Sequence, residues 1–244
     1  MNRDLTTGSV FKTILYFSLP YLLSYFLQTL YGMADLFIIG QYCGVESTTA
    51  VSIGSQVMHI LTVMIVGLAM GSTVMIGRAA GAKEKEKVNR AVGNTAVLFM
   101  SLSIVCTVLL LLSVRAIVSV MATPEEAVDG LIWYLNICFV GIPFITAYNI
   151  ISSVFRGMGD SKSPMYFIAV ACAFNIVLDY LFIGVLGFGT AGAALGTTLS
   201  QTISVLVSFV VIRKRGMIPG LCRADFRPKK DVLGNILKVG VPVA

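Results

Sequence analysis

Charge is scarce in this sequence. Only 12% of the 244 residues are charged, 57% are hydrophobic, and the mean hydropathy is +0.88, whereas ordinary soluble domains have roughly 25% charged residues. Because no soluble core needs so many apolar side chains, this composition argues against a soluble globular protein. The five cysteines are scattered without a C-x-x-C pair, so we expect free thiols and no disulfide framework.

Long apolar runs are what the sequence does contain. Only helices and closed barrels can cross lipid, a spanning helix takes about 20 residues, and these runs are far too long for barrel strands of about ten alternating residues. The sequence therefore predicts an all-α polytopic membrane protein with six spanning helices. Their expected bounds are Thr13–Gly40, Thr48–Gly77, Val88–Val114, Glu125–Phe155, Pro164–Leu186 and Ala191–Ile212.

The same pattern predicts three regions. Residues 1–212 form an amino-terminal six-helix lobe, in which the apolar run after Lys12 is a retained helix rather than a cleaved signal peptide. Residues 213–231 form a basic cytoplasmic linker, and residues 232–244 are the truncated start of a second lobe, with a seventh helix beginning near Val232.

Basic residues are almost missing from one side of this arrangement. Seventeen of the 18 Lys and Arg residues fall on the side of the amino terminus, and only Arg115 falls on the other. Short loops rich in Lys and Arg stay in the cytoplasm, so we expect a multi-pass protein of the cytoplasmic membrane with its amino terminus inside. The net charge of +6 is then explained by orientation in the lipid bilayer, and we expect no nucleic-acid partner.

A short internal repeat links the two ends of the chain. Val10, Ile14, Leu15 and Pro20 recur as Val232, Ile236, Leu237 and Pro242, each pair 222 residues apart. Six crossings return the chain to the same side, so the repeat would be parallel, as in transporters built from two halves. We therefore expect a missing carboxy-terminal lobe.

Two acids fall within the predicted spanning helices, where charge is costly and an acid is by default a functional candidate. At 1.5 Å per residue, Asp35 lies about 7 Å and Asp179 about 12 Å from the outer ends of their helices, so the two are expected at one depth. Burial and repulsion favour protonation of one acid near neutral pH. Such a pair suits either Na⁺ or a proton.

Other oxygen-bearing side chains are expected near this level, and hard cations prefer such oxygens. They are Gln28, Tyr134, Asn175 and Thr197. Each could instead form an ordinary bond between helices. The lone His59 is interpreted as a packing residue, and three Gly-x-x-x-Gly pairs (Gly67 and Gly71, Gly77 and Gly81, Gly192 and Gly196) as close helix contacts without chemistry.

A proline inside the first helix suggests a moving part. Pro20 removes one backbone hydrogen bond and permits a kink. We hypothesise that the first helix bends between Pro20 and Asp35.

Several motifs together resemble the amino-terminal lobe of the multidrug and toxic compound extrusion (MATE) transporters. They are Ser18-Leu19-Pro20, Tyr31-Gly32-Met33-Ala34-Asp35, Arg78-Ala79-Ala80-Gly81, Arg156-Gly157-Met158-Gly159-Asp160, Asn175-x-x-x-Asp179 and Ala191-Gly192-Ala193-Ala194. The resemblance implies cation-site positions at Asp35, Asn175, Asp179 and Thr197, with Na⁺ as a possible metal ion. It implies positions facing a substrate cavity at Gln28, Tyr134 and Asn149.

The resemblance also implies transport rather than catalysis. MATE transporters have about twelve helices and export cationic or amphipathic drugs in exchange for Na⁺ or H⁺ by rocking two lobes. No cofactor besides the coupling ion is then expected, and the substrate is a small drug-like molecule.

Two other functions remain open at this point. A flippase for lipid-linked sugars would share the fold, but such proteins carry more cationic residues in the cavity than the helices here offer. An intramembrane aspartyl protease is suggested by Gly157-Met158-Gly159-Asp160, but the motif is short and its context is a polar turn.

Overall fold

The computed structural model describes residues 9–216 and 222–243, and in these ranges it consists of helices joined by short loops and turns. Its α-helices are α1 (Val10–Tyr42), α2 (Val45–Gly81), α3 (Lys85–Val120), α4 (Glu125–Gly157), α5 (Lys162–Asp179), α6 (Gly189–Arg215) and α7 (Lys230–Gly240). A π-helical segment, Tyr180–Val185, follows α5, and 3-10 turns occupy Arg223–Phe226 and Val241–Val243. Within the described ranges, six helices are long and apolar enough to cross a membrane. The predicted fold class and six crossings are confirmed.

Short loops fix the direction of the spanning helices. Two to four residues join each to the next, so consecutive helices run antiparallel. The loops predicted to be basic therefore lie at one end of the bundle, called the basic end below, while Arg115 lies near the opposite end of α3. The five cysteines are free, as predicted. Arg3, part of the predicted charge pattern, lies outside the described residues.

Helix α4 is the centre of the bundle. In its most apolar stretch 72% of residues are buried, against 17% in α1 and in α3. Leu131, Leu135 and Phe139 of α4 are fully buried within the largest hydrophobic cluster. Apolar side chains such as Phe11 and Leu112 are instead exposed on the outer helices, as expected where lipid is the solvent.

The segment after α6 is bound to the bundle. Asn94 of α3 donates from Nδ2 to the carbonyl of Asp225 (3.1 Å) and accepts at Oδ1 from the backbone amide of Lys229 (2.7 Å). The Asp225 carbonyl lies where a Cβ on Gly93 would stand. The 3-10 turn Arg223–Phe226 therefore packs directly on α3, and the predicted linker is not a free tether along this part.

A local carboxylate closes that 3-10 turn. Asp225 Oδ2 accepts hydrogen bonds from the backbone amide and the thiol of Cys222, at 3.0 and 3.2 Å. These bonds, with the nearby charges of Arg90 and Lys229, hold the pKa of Asp225 below its ordinary value. The carboxylate form thus stabilises the turn.

Helix α7 also packs on the first lobe. Ile236 is fully buried, and its carbonyl lies against Gly71 of α2, while Gly240 lies against the carbonyl of Leu68. The helix begins at Lys230 rather than near Val232, and α6 continues to Arg215. The boundary between lobes stays a prediction, and residues 217–221 and 244 lie outside the described residues.

Candidate functional site

The two intramembrane acids meet inside the bundle. Asp35 of α1 and Asp179, the last residue of α5, are 2% and 0% exposed. Their carboxyl groups interact with each other and with the Asn175 side chain, one turn before Asp179. From α6, Thr197 Oγ1 donates a hydrogen bond to Asp35 Oδ2 at 3.2 Å. The four residues predicted as a cation site therefore form one cluster, called the acid site below.

Most polar atoms of the acid site are unpaired. Asp35 Oδ1, both carboxyl oxygens of Asp179 and both polar atoms of the Asn175 amide are buried and make no hydrogen bond of normal geometry to any described residue. The neighbouring side chains therefore lie close together, but they do not complete the hydrogen bonding of these atoms. Buried carboxylates without partners are costly, so the cluster favours binding of a cation or a proton.

A glycine on α6 makes this approach possible. A Cβ built on Gly196 would collide with Asp179 Oδ1, so only glycine lets the carboxyl group rest on the α6 backbone. A Cβ built on Gly192, one turn earlier, would lie only 3.1 Å from the backbone of Phe182 in the π-helical segment. The close contact predicted for this glycine pair is seen at both positions, and Gly196 also borders the acid site.

The π-helical segment is a feature that the sequence analysis missed. It begins directly after Asp179, and π-turns within helices often occur at functional sites. The depth predicted for Asp179 assumed α-helical geometry up to Leu186, which the structure does not have. No residue pattern in Tyr180–Val185 distinguishes it from an α-helix.

Two tyrosines extend the polar cluster toward α2. The Tyr31 hydroxyl interacts with Thr197 and lies near Asp35, and Tyr134 lies near both Asp35 and Tyr31 while sharing a hydrogen bond of 3.1 Å with Ser55. The sequence analysis gave no role to Tyr31 or Ser55. Tyr31 stands one helical turn before Asp35, so their common helix face could have revealed it.

The three predicted cavity residues do not form one group. Tyr134 and Asn149 are 2% and 4% exposed, whereas Gln28 is half-buried. Tyr134 and Asn149 are fifteen residues apart on α4, or about 22 Å, and the Asn149 amide donates to the carbonyl of Ile145. A role for these residues in a substrate cavity stays a prediction.

Two further predictions have different outcomes. His59 is exposed on α2, so its interpretation as a packing residue within this lobe was wrong. Helix α1 runs unbroken through Pro20, whose carbonyl accepts a hydrogen bond from Ser24 Oγ at 2.8 Å. Bending at Pro20 stays a prediction.

Asp160 is a structural residue at the basic end. Its carboxylate accepts hydrogen bonds from the backbone amide and hydroxyl of Ser163, at 3.0 and 2.6 Å, and pairs with Arg215 of α6 at 3.1 Å. About 25 Å of helix separates it from Asp179. Proteolytic chemistry needs two carboxyls within reach of one water, so the Gly157–Asp160 motif does not support a protease.

Comparison with known proteins identifies the family. The MatE family model matches residues 20–181, a range that includes both acids and Asn175. The chain belongs to the MatE family. The most similar relatives of this MatE chain include the probable multidrug resistance protein YoeA of Bacillus subtilis, 32% identical, with 97% of this chain and 52% of the relative aligned. The family predicted from the motifs is confirmed.

Solved structures agree with this assignment. The MatE chain superposes on an outward-facing multidrug resistance MATE family transporter with a TM-score of 0.89 and 31% identity, covering 97% of this chain and 52% of that one. A MOP superfamily transporter from Pyrococcus furiosus, described as having a binding pocket of reverse polarity that suggests a different function, gives 0.90 and 31%, covering 98% and 53%. The MatE chain thus spans about half the length of the proteins it matches.

Proposed function

We propose that this chain is the amino-terminal lobe of a secondary active transporter that exports organic cations, drugs or toxic compounds across the cytoplasmic membrane by antiport with Na⁺ or H⁺. A second six-helix lobe completes the transporter, and the amino terminus lies in the cytoplasm. Membership of the MatE family and relatives named for multidrug resistance support this assignment. They do not favour the flippase alternative.

The acid site is the observation that carries the proposal. Two buried carboxyl groups share a site with three unpaired carboxyl oxygens among the described residues. Two adjacent negative charges in a low dielectric repel strongly, so the site is stable when a cation or proton neutralises it. Asp35, Asn175, Asp179 and Thr197 supply the oxygens that would hold the coupling ion.

Ion binding can drive a conformational change only if the affinity of the site for the ion differs between the two conformations. Asp35 belongs to α1, whereas the other three residues belong to α5 and α6. Movement of α1 relative to α5 and α6, by the proposed bend near Pro20, would separate Asp35 from its neighbours and lower the affinity for the ion. Gln28, Tyr134 and Asn149 are proposed to contact the drug.

Drug efflux from cells that express the parent transporter tests the proposal. Asp35→Asn and Asp179→Asn each keep the side-chain shape but remove a titrating carboxyl group, so efflux should fall at least tenfold. Asp129→Asn is the matched control, because Asp129 is exposed near the end of the bundle opposite the basic end. Efflux should be unchanged in this variant.

Varying Na⁺ and pH separately identifies the ion. A sodium-coupled transporter responds to the Na⁺ gradient at constant pH, and a proton-coupled one to pH at constant Na⁺. Normal efflux in both intramembrane variants would refute the coupling role. Loss of efflux in the Asp129→Asn control as well would show that the substitutions act through folding or expression.

A further inference from the structure

A cavity lies at the basic end, far from the acid site. It is a cleft of about 450 Å³ between the last turns of α2, the start of α3 and the start of α7. Met75, Ala79 and Val232 supply its apolar surface. Its charged residues are Arg78, Lys87, Arg90 and Lys229 with Glu84 and Asp231, so cations outnumber acids by two.

The ion pairs around the cleft leave part of this charge free. Lys87 pairs with Glu84 at 2.7 Å, and Arg90 pairs with Glu86 at 3.4 Å. Arg78 forms no ion pair with any described residue. An exposed guanidinium with five donors and no acid partner is well suited to a phosphate group, which it can bind in bidentate geometry.

The fold holds Lys229 at the same cleft as Arg78. Its backbone amide is fixed by Asn94 Oδ1 at 2.7 Å, and the preceding 3-10 turn rests on Gly93. A segment that is distant in sequence therefore brings its cation to the cleft formed by the α2–α3 connection. A basic loop exposed to solvent would not need the hydrogen bond to Asn94 and the packing on Gly93.

The position and the lining together indicate the ligand. The cleft lies at the basic ends of the spanning helices, where lipid headgroups are expected, and it combines cations with an apolar surface. Basic pockets between helices at this level bind anionic headgroups. We propose that the cleft binds the phosphate of an anionic phospholipid, with Arg78 and Lys229 as its principal contacts and with Met75 and Val232 against the glycerol and upper acyl chain.

Lipid binding to the purified chain tests this proposal. Phosphatidylglycerol would be titrated against the protein in detergent and its occupancy measured by native mass spectrometry, with phosphatidylcholine as the uncharged comparison. The double variant Arg78→Gln and Lys229→Gln should bind phosphatidylglycerol about thirtyfold more weakly, since each cation near a membrane surface contributes about a fivefold effect. Both positions are exposed, so the variant should fold normally.

The matched control removes the same charge at the same end. Arg223→Gln with Arg227→Gln changes exposed residues that do not line the cleft, and binding should weaken less than threefold. Equal weakening in the two double variants, or no preference for phosphatidylglycerol in the wild type, would overturn the proposal.

Competition with inorganic phosphate distinguishes a site for free phosphate from a site for the phosphate of a lipid. If it displaces the lipid from the wild type at millimolar concentration, the cleft recognises phosphate alone. If it does not, the acyl chain contributes as well. Displacement that is equally effective in the cleft variant would place the phosphate elsewhere and contradict the assignment.

Discussion

Two adjacent threonines on α6 offer a direct test of the acid site. Thr197 Oγ1 donates to Asp35 Oδ2 at 3.2 Å. Thr198 Oγ1 is also buried but makes no hydrogen bond to any described residue. Substitution of either by Val exchanges a hydroxyl for a methyl group of similar size, so the two variants differ almost only in the hydrogen bond that is lost.

The expected effects have opposite directions. Loss of a hydrogen bond to a charged group costs about 1.5–3 kcal/mol, and Thr197→Val also leaves Asp35 without its donor. Thr198→Val removes a buried hydroxyl without a partner, which is neutral or stabilising by about 1 kcal/mol. The free energies of unfolding should therefore differ by about 1.5–4 kcal/mol. At about 2–4 °C per kcal/mol for a chain of this size, Thr197→Val should unfold at least about 3 °C below Thr198→Val.

Thermal unfolding of the purified proteins, with and without the coupling ion, measures both consequences. In the wild type and in Thr198→Val, the ion should raise the unfolding temperature, because a ligand that binds only the folded state stabilises it. In Thr197→Val this stabilisation should require at least tenfold more ion. Equal unfolding temperatures and equal ion dependence in the two variants would refute the assignment of Thr197 to the site.

Three further predictions follow from individual contacts. Gly196→Ala should weaken ion binding at least tenfold. The Asp179 carboxyl group packed against Gly196 would have to move by about 1 Å, whereas ion sites tolerate about 0.5 Å of displacement. Unchanged ion-dependent stabilisation would contradict this prediction. Asn94→Ala should speed tryptic cleavage of the segment after α6 at least tenfold, since two hydrogen bonds are lost, whereas Asn235→Ala, at an exposed position of α7, should leave the rate unchanged. The pKa of Asp225 is lowered in the folded state, so its carboxylate stabilises the fold above the unfolded pKa of about 3.9, and this stability is lost as the pH falls through the folded pKa. Amide exchange in the 3-10 turn should therefore accelerate only below about pH 4. Asp225→Asn should remove this pH dependence.

Much of the architecture could be predicted because lipid imposes simple rules. Six apolar runs with charged boundaries gave six spanning helices, and the bounds differ by only a few residues because backbone hydrogen bonds must be completed within each helix. When the π-helical segment is counted with α5, the largest difference is in α3, which continues from Val114 to Val120. Arg115 lies within this extension, and a single charge near a helix end can reach the interface by extending its side chain.

The acid site could also be predicted in outline. Asn175 and Asp179 share one face of α5 by their spacing, and the cost of intramembrane charge selected Asp35. The spacing of residues along one helix could not predict which residues of another helix they contact. Gly196 looked like any small packing residue, because only the position of α6 reveals that its missing side chain makes room for Asp179.

The internal repeat shows a different limit. Ile14 and Ile236 are equivalent in the repeat, yet Ile14 is 61% exposed on α1 and Ile236 is fully buried against the first lobe. A repeat predicts similar local structure, since local propensities are similar. It does not predict burial, which depends on the neighbours that each copy meets.

The attachment of α1 explains why ionisation of the two acids could move a helix. Near the basic end, Arg156 stacks on Tyr21 at 5.4 Å, a cation–π contact of about 0.5–2 kcal/mol. Near the other end, α1 is joined to α6 through Asp35, whose burial beside Asp179 is favourable only when the charge is neutralised.

The magnitudes are sufficient for such a movement. A shift of a two-state equilibrium from 1:99 to 99:1 requires about 5.5 kcal/mol of differential binding, and the effective cost of burying a single unpaired charge is several kcal/mol. In the proposed transporter, release of the ion from two adjacent carboxyl groups would therefore supply free energy of the size that such a movement requires, against which stands the packing of Ile38 and Ile39 in the main hydrophobic cluster.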